Sequence, residues 1–500
     1  MLIGLSSCYS AKDGGSMENF AGAPGEQYYD GERPPQNTGN TEDGGENEAL
    51  VIENKFINTS DESVSTFSAD VDTASYSYFR KLVNSGYELD ELIATGGRNI
   101  RTEEMLNYFD YTYNMPKENE LFGVSAKIVP CPWNEDAQLM MLGLATEKSE
   151  PKADNNLVFL IDVSGSMSTA DKLPLLQKSF SYLVDRLDEN DRVSIVTYAG
   201  KEKVVLRGCE GNKKDKIMDA INSLKAEGST NGEAGLEMAY QVAEKYYIEG
   251  GNNRIIMASD GDLNVGISSA EELKSFVTEK KNMGVYLSVL GFGTGNYKDS
   301  KMETLADNGN GVYYYIDSER EAEKIFGDDI FATLYTVAKN VKLQLRFDKN
   351  TVEKYRLVGY ENRLLNNEDY LDDTKDAGEI GAGHTVTVCY EIIMRENAPE
   401  NSDFAELGVR YMKPDSEKSE EQTFAVKREY VKNEADDEAK FICAVIETSM
   451  ILHKSQYIGD ITLKKVLDEI RVVNVHDDEY KREFISLLEK LCNKNPEAVL

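Results

Sequence analysis

Short apolar runs alternate with longer amphipathic stretches through residues 154–338. In the longer stretches, apolar residues recur every three or four positions, which predicts helices with one buried face. The short runs are continuous and mostly apolar, which is typical of parallel strands covered on both faces. The predicted strands are residues 156–162, 192–199, 253–259, 285–290 and 312–316, and the predicted helices are residues 172–187, 213–224, 232–247, 270–283, 298–306 and 318–336. This alternation predicts an α/β domain with a doubly wound, mostly parallel, Rossmann-like sheet.

The segments on either side of this region have a different pattern. Residues 122–129 and 139–145 before it favour strands, as do five runs after it with few helices between them. The five runs are residues 341–347, 355–360, 377–383, 385–393 and 407–412. Because the two strand-rich segments bracket the α/β region, we expect residues 121–148 and 340–430 to share one β domain. The parallel sheet would then be inserted in an α+β flanking body that contains a β-sandwich.

Helical periodicity returns near the end of the chain, and we expect the C-terminal helices to pack on the β domain. The predicted organisation has five regions. They are a lipobox and flexible tether, an N-terminal region, the α/β domain, a β-rich domain and a C-terminal helical segment. Their bounds are residues 1–50, 51–153, 154–338, 339–432 and 433–500, in that order.

The first region contains Cys8 directly after Leu5, Ser6 and Ser7, which is similar to a bacterial lipobox. The residues that follow are rich in Gly, Ser, Asn, Glu and Pro, a composition that favours a flexible tether. Only four residues precede the box, and none is basic, whereas a signal peptide has a basic segment and about 7–15 apolar residues. We expect a lipoprotein signal that starts upstream of this sequence. The protein would then be lipid-anchored at Cys8 in the bacterial cell envelope, on the surface or periplasmic side.

Charge and hydropathy narrow the classes of partner. The 500 residues include 89 acidic and 55 basic side chains, which give a formal charge of −34. Nucleic-acid binding depends on Lys and Arg to neutralise phosphates, so this charge argues against nucleic acid as a partner. No window holds the roughly 18 apolar residues of a spanning helix, which excludes a polytopic membrane protein. Membrane contact is expected only through the lipid anchor.

Three loops next to predicted strands carry carboxylates and hydroxyls. The first strand ends in a D-x-S-x-S motif that contains Asp162, Ser164 and Ser166. Thr230 lies in a Gly-rich loop between two predicted helices, and Asp260 follows strand 253–259. Ligand sites of doubly wound sheets lie at the carboxyl ends of the strands, where the strand order reverses. We therefore expect these five side chains to converge.

This donor set suits a hard divalent cation. The two carboxylates would balance the charge of the ion, and the neutral hydroxyls would leave it electrophilic. One open coordination position would then favour an anionic oxygen from outside, such as a carboxylate of a partner. The expected cofactor is Mg2+, with Mn2+ or Ca2+ as alternatives. No base, nucleophile or leaving-group pocket accompanies the set, so we expect a binding protein and not an enzyme.

The five residues strongly resemble the metal-ion-dependent adhesion site of von Willebrand factor type A domains, and the alternation at residues 154–338 resembles that fold. The resemblance implies that Ser164, Ser166 and Thr230 ligate Mg2+ directly or nearly so. It implies that Asp162 and Asp260 ligate it directly or through water.

Motifs in the flanking regions resemble the bacterial YfbK-like family, which carries an N-terminal von Willebrand-associated region and a C-terminal domain of unknown function. These motifs are residues 65–76 (STFSADVDTASY), 130–134 (PCPWN), 359–363 (GYENR) and 376–384 (DAGEIGAGH). The resemblance covers about residues 60–490. It implies a cell-envelope protein, often lipid-anchored, without a known substrate.

Other features favour simple structural roles. Residues 291–296 (GFGTGN) lack the third glycine of a dinucleotide loop, so we expect a tight turn beside the metal site. Asp70 and Asp72 could form a second cation site, but capping of the following helix is the simpler interpretation. The six cysteines contain no CxxC pair, and most should be inert buried thiols.

Two functional hypotheses follow. In the first, the tethered protein uses Mg2+ to capture an acidic group on a protein or glycan partner. In the second, it is an accessory subunit of an intracellular assembly, such as the A-domain partner of an AAA+ ATPase, a role that needs neither a lipobox nor a tether. A metal-dependent hydrolase is the weakest alternative, because it requires a general base near Thr230 that the sequence does not identify.

Overall fold

The computed structural model describes residues 52–148, 153–228, 233–261, 270–293, 299–400, 402–414, 416 and 418–494. Cys8, the tether and Thr230 lie outside the described residues.

The N-terminal region combines short strands with three helices. Its strands are β1 (Ile57–Asn58), β2 (Val64–Ser68), β3 (Gly123–Pro130) and β4 (Gln138–Ala145), and its helices are α1 (Ala74–Ser85), α2 (Leu89–Ala94) and α3 (Thr102–Asn107).

The α/β domain forms a six-stranded sheet. Its strands are β5 (Asn155–Asp162), β6 (Arg192–Tyr198), β7 (Lys203–Glu210), β8 (Asn252–Ser259), β9 (Val285–Phe292) and β10 (Tyr313–Ile316). Its helices are α4 (Leu173–Arg186), α5 (Lys214–Asn222), α6 (Glu233–Lys245), α7 (Ala270–Asn282), α8 (Asp299–Asn308), α9 (Glu319–Glu323) and α10 (Ile330–Leu334). The strand order is β10-β9-β8-β5-β6-β7, with only the edge strand β7 antiparallel to its neighbour.

This order confirms the predicted doubly wound, mostly parallel sheet. Strand β5 pairs with β6 on one side and with β8 on the other, so the strand order reverses between β5 and β8. Alternate residues of β5 enter two separate cores, with Phe159 and Ile161 in one and Val158 and Leu160 in the other. Burial on both faces explains why β5 has a continuous apolar run from Leu157 to Ile161.

Two sequence predictions in this domain are wrong. Strand β7 was not predicted, because its Lys, Arg and Glu side chains are typical of an exposed sheet edge and mask the strand pattern. Residues 318–336 do not form one helix. A π-helical turn at Lys324–Asp328 separates α9 from α10, and Thr336 already belongs to the next strand.

The flanking strands form two sheets that share a core. The later strands are β11 (Thr336–Phe347), β12 (Val352–Val358), β13 (Gly378–Gly381), β14 (Thr385–Met394), β15 (Ala405–Met412) and β16 (Ser419–Val426). One sheet has the order β1-β12-β14-β4-β3, and the other has β13-β11-β15-β16 with β2 also on β11. Phe347 from the second sheet stacks on Tyr355 of the first at 4.2 Å between ring centroids.

The antiparallel pairing of β4 with β14 confirms that segments on both sides of the α/β domain build one β body. The chain leaves this sandwich after β4, forms the parallel sheet, and returns at β11. The fold is therefore an α/β domain inserted in an α+β body, as expected.

Three helices complete the chain: α11 (Asp437–His453), α12 (Leu463–Ile470) and α13 (Glu479–Lys494). Phe484 of α13 contacts Phe79 of α1 and Phe109, with ring centroids 6.4 and 5.7 Å apart. The helices therefore share a core with the N-terminal helices as well as with the β body. Of the described helices, none is long and apolar enough to cross a bilayer. The five described cysteines are buried and unpaired, as expected.

Candidate metal site at the carboxyl edge of the sheet

Asp162 lies at the end of β5, where the sheet order reverses. Its side chain is fully buried, and Oδ1 accepts a hydrogen bond from the backbone N–H of Ser164 at 2.8 Å. Burial is the main cause that raises the pKa of Asp162 to about 6, and the nearby Asp260 charge adds to it, while the Ser164 N–H opposes the shift. A carboxylate in this environment gains from a cation that offsets its desolvation.

The two serines of the motif lie together on the turn after β5. Ser164 Oγ and Ser166 Oγ are 2.9 Å apart and share a hydrogen bond. A 3-10 turn at Gly165–Ser168 holds them, and Met167 anchors that turn in the core. Ser164 is buried and Ser166 is exposed, so the pair leads from the buried carboxylate towards solvent.

Asp260 enters the site from β8, the strand beside β5. Its neighbour Ser259 ends that strand and directs its hydroxyl to Asp162 Oδ2 at 3.4 Å. The end of β8 thus supplies both a second buried carboxylate and a donor that orients the first. Ser259 was not among the predicted site residues, because a serine inside a buried strand carries no pattern of its own.

Thr230 lies outside the described residues, so only the approach to its loop is visible. The backbone N–H of Glu227 donates to the Val163 carbonyl at 2.7 Å, and Gly165 N–H donates to the Gly228 carbonyl at 3.0 Å. These bonds hold the start of the Thr230 loop against the D-x-S-x-S turn. Four of the five predicted ligands are therefore described, and they lie at one edge of the sheet.

Lys172 is a further residue of the site that the sequence analysis missed. Its Nζ lies 2.8 Å from Asp260 Oδ2 and donates to the Ser166 carbonyl oxygen at 3.0 Å. Lys172 directly precedes α4, and a basic residue is unfavourable at a helix N-terminus. This unusual position is the sequence feature that could have identified it. The Lys172 ammonium thus binds Asp260, one of the predicted ligands. The oxygen atoms at this edge of the sheet therefore suit a positively charged group.

The four predicted ligands that are described all offer oxygen atoms as donors. Among the described residues, no group of three or more His, Cys, Asp or Glu side chains is arranged to hold a metal. The site described above instead pairs two carboxylates, from Asp162 and Asp260, with hydroxyl oxygens. Oxygen donors of this kind suit Mg2+ and not a soft ion.

Asp70 and Asp72 have a role that differs from the predicted one. They do not cap α1; the N–H of Ser75 in its first turn instead donates to Glu104 Oε2 at 2.8 Å. Asp72 Oδ1 accepts from the backbone N–H of Tyr313 at 3.0 Å, and both carboxylates face Arg363. The cation that these aspartates bind is a guanidinium from the GYENR motif.

Family models match most of the chain. The model described as von Willebrand factor matches residues 44–141, the von Willebrand factor type A domain matches residues 156–328, and the model described as uncharacterized protein YfbK, C-terminal, matches residues 332–493. The chain is 37% identical over 453 residues to uncharacterized protein YfbK of Escherichia coli, with 85% of this chain and 77% of that protein covered.

More distant similarity extends to other organisms. Human inter-alpha-trypsin inhibitor heavy chain H3 is 28% identical over 266 residues, which cover 49% of this chain and 29% of that protein. A solved structure of von Willebrand factor type A from Catenulispora acidiphila is 12% identical, with a TM-score of 0.42, and covers 77% of this chain and 98% of that one.

Proposed function

The chain belongs to the YfbK family of von Willebrand factor type A proteins, and from this premise we propose that its A domain binds a partner through a metal ion. Domains of this type generally mediate protein–protein interaction. The proposed ion is Mg2+, held by Asp162, Ser164, Ser166, Thr230 and Asp260. Its remaining coordination position would accept a carboxylate of a protein or glycan partner.

One observation carries this proposal: two buried carboxylates lie at the ends of adjacent parallel strands, and a pair of serine hydroxyls lies on the turn after one of them. Burial of two like charges is unfavourable unless a cation compensates them. The protein is also strongly acidic, with a formal charge of −34. An acidic partner would therefore be repelled without the ion, and binding should depend on metal.

Manganese binding tests the site directly. We expect Mn2+, followed by electron paramagnetic resonance of the free ion, to bind the wild type with one site. Asp162→Ala and Ser164→Ala should lose most of this affinity. Ser168→Ala is the matched control, because Ser168 lies on the same turn and is not a predicted ligand. Equal Mn2+ binding in all four proteins would overturn the proposed site.

The open coordination position has its own test. Water-proton relaxation reports the exchangeable waters on bound Mn2+. Acetate, as a simple carboxylate, should lower this relaxation enhancement when it replaces water on the ion, because the proposed role requires an external carboxylate. Saturating acetate that leaves the enhancement unchanged would contradict carboxylate capture while leaving the metal site intact.

We also propose that lipid on Cys8 anchors the protein in the bacterial envelope. The support is the lipobox-like run before Cys8 and the polar residues after it. The protein expressed from its full-length gene in a bacterial host should incorporate a palmitate analogue, and Cys8→Ser should abolish this label. An unlabelled wild type found in the cytosol would instead favour the accessory subunit of an intracellular assembly.

A further inference from the structure

We propose that Lys172 is an internal cation of the adhesion site, which binds Asp260 in the metal-free protein and lowers the affinity of the site for a divalent ion. The inference rests on the metal site proposed above and adds the residue that sets its affinity. Three independent features of Lys172 support this role.

The first feature is the pair of contacts that the ammonium makes. Lys172 Nζ lies 2.8 Å from Asp260 Oδ2 and 3.0 Å from the carbonyl oxygen of Ser166. Asp260 is a proposed ligand, and Ser166 supplies another through its hydroxyl. The ammonium is thus held by two of the five residues that would hold the ion.

The second feature is the position of Lys172 at the N-cap of α4. The N-terminus of a helix carries partial positive charge, so a cation there is disfavoured. The first turn of α4 contains no acidic residue that could offset it. Asp260, from a different strand, is therefore the carboxylate that stabilises this charge.

The third feature is the space that Gly293 leaves for the aliphatic part of the Lys172 side chain, its stem. Gly293 has φ +78°, and a Cβ built on it would lie 2.3 Å from Lys172 Cε. A side chain at this position would have to displace the lysine stem from its present path, and the Lys172 side chain is 13% exposed. Gly293 directly follows β9, and this close approach gives it a role beside the proposed metal site.

Like charges explain how Lys172 would affect metal binding. An ammonium and a divalent ion cannot share Asp260 without strong repulsion, so the ion must displace the ammonium. Removal of one positive charge at contact distance should raise affinity by about tenfold or more at low ionic strength. Metal loading would then release Lys172 into solvent.

Manganese titration of charge variants tests this competition. We expect Lys172→Met, which keeps the stem and loses the charge, to bind Mn2+ about tenfold or more tightly than the wild type. Lys172→Arg keeps the cation and should bind more weakly than Lys172→Met. Lys178→Met is the matched control on the same helix, because Lys178 pairs with Glu319 and is 63% exposed; it should match the wild type.

The outcomes separate this inference from the metal site itself. If Asp162→Ala loses Mn2+ binding but Lys172→Met binds no more tightly than the wild type, the role of Lys172 is wrong and the site stands. If neither the wild type nor Lys172→Met binds Mn2+, both are wrong. If the wild type binds Mn2+ and Lys172→Met binds it about tenfold or more tightly, both are supported.

Chemical labelling of the wild type gives a second measurement that needs no variant to fold. Acetylation by an amine-reactive reagent should modify Lys172 slowly in the metal-free protein, because its ammonium is bound by Asp260. Saturating Mg2+ should accelerate that modification at least severalfold while Lys178 reacts equally in both states. Equal rates for Lys172 with and without Mg2+ would overturn the proposal.

Discussion

Arg363 Nη1 lies 2.7 Å from Asp307 Oδ2, and this contact joins the flanking body to helix α8 of the A domain. The same guanidinium lies 3.0 Å from Glu303 and 3.3 Å from Asp70. A residue of the GYENR motif thus holds together the N-terminal region, the β body and the A domain. The inserted domain is fixed to its neighbours by buried charge as well as by hydrophobic contact.

Replacement of Arg363 by Met should strongly destabilise the protein. The guanidinium is 10% exposed and faces four carboxylates, from Asp70, Asp72, Glu303 and Asp307. Its loss removes the cation that faces the buried carboxylates of Asp70 and Asp72, at a cost of about 3–5 kcal/mol in unfolding free energy. Urea denaturation measures this change. Arg346→Met, which breaks a largely exposed ion pair with Glu406, should change the same quantity by less than about 1 kcal/mol.

Stability should depend on pH through Glu103. Burial raises the pKa of this carboxyl to about 8, with further contributions from Glu361 and Asp70, although the Tyr360 N–H opposes the shift. The folded state therefore holds a proton that the unfolded state releases above its ordinary pKa of about 4.3. The protonated Glu103 carboxyl therefore contributes its full stabilisation of the fold at acidic pH. The protein loses this contribution as the pH rises through about 8.

The variant Glu103→Gln isolates this effect, because an amide mimics the protonated carboxyl. Urea denaturation should give similar unfolding free energies for variant and wild type at pH 5, and a more stable variant at pH 8.5. Comparison of the two proteins at each pH removes the contribution of other acidic groups. A difference that does not vary with pH would contradict the prediction.

The turn that Glu103 contacts should be sensitive to any side chain at Gly359. This glycine has φ +78°, and a Cβ would lie 2.6 Å from Glu103 Oε2. Gly250 is a matched control, since its φ is +70° and a Cβ there meets nothing within 4 Å. Gly250→Ala should lose about 1 kcal/mol from the left-handed backbone alone. Gly359→Ala should lose more, and equal losses in thermal unfolding would contradict the steric role.

Arg80 should control the local stability of the end of the A domain. Its guanidinium is 2% exposed and contacts Asp317 at 2.5 Å, Glu321 at 2.6 Å and Glu483 at 3.1 Å. Arg80 lies on α1, whereas Asp317 and Glu321 lie at the start of the α9 region and Glu483 lies on α13. Arg80→Met should raise amide hydrogen exchange across α9 and α13, because two buried carboxylates lose their cation. Exchange as slow as in the wild type would show that hydrophobic packing alone holds these helices.

The sequence determined the architecture of the A domain because its signals are local. Continuous apolar runs such as Leu157–Ile161 report burial on both faces, and the intervening helical periods report the covering layer. The D-x-S-x-S motif and Asp260 directly follow strands, so the strand order alone brings them to one edge. The split β body was also predictable, since its two halves bracket the insertion.

Only the tertiary structure decided which charges meet. Asp70 and Arg363 are 293 positions apart, and Lys172 and Asp260 are 88 apart, so no local pattern relates either pair. The sequence favoured helix capping for Asp70 and Asp72, because capping is the local interaction available to such residues. Long-range ion pairs depend on how separate elements pack. Each of these two pairs forms only when a buried carboxylate on one element meets a cation on another.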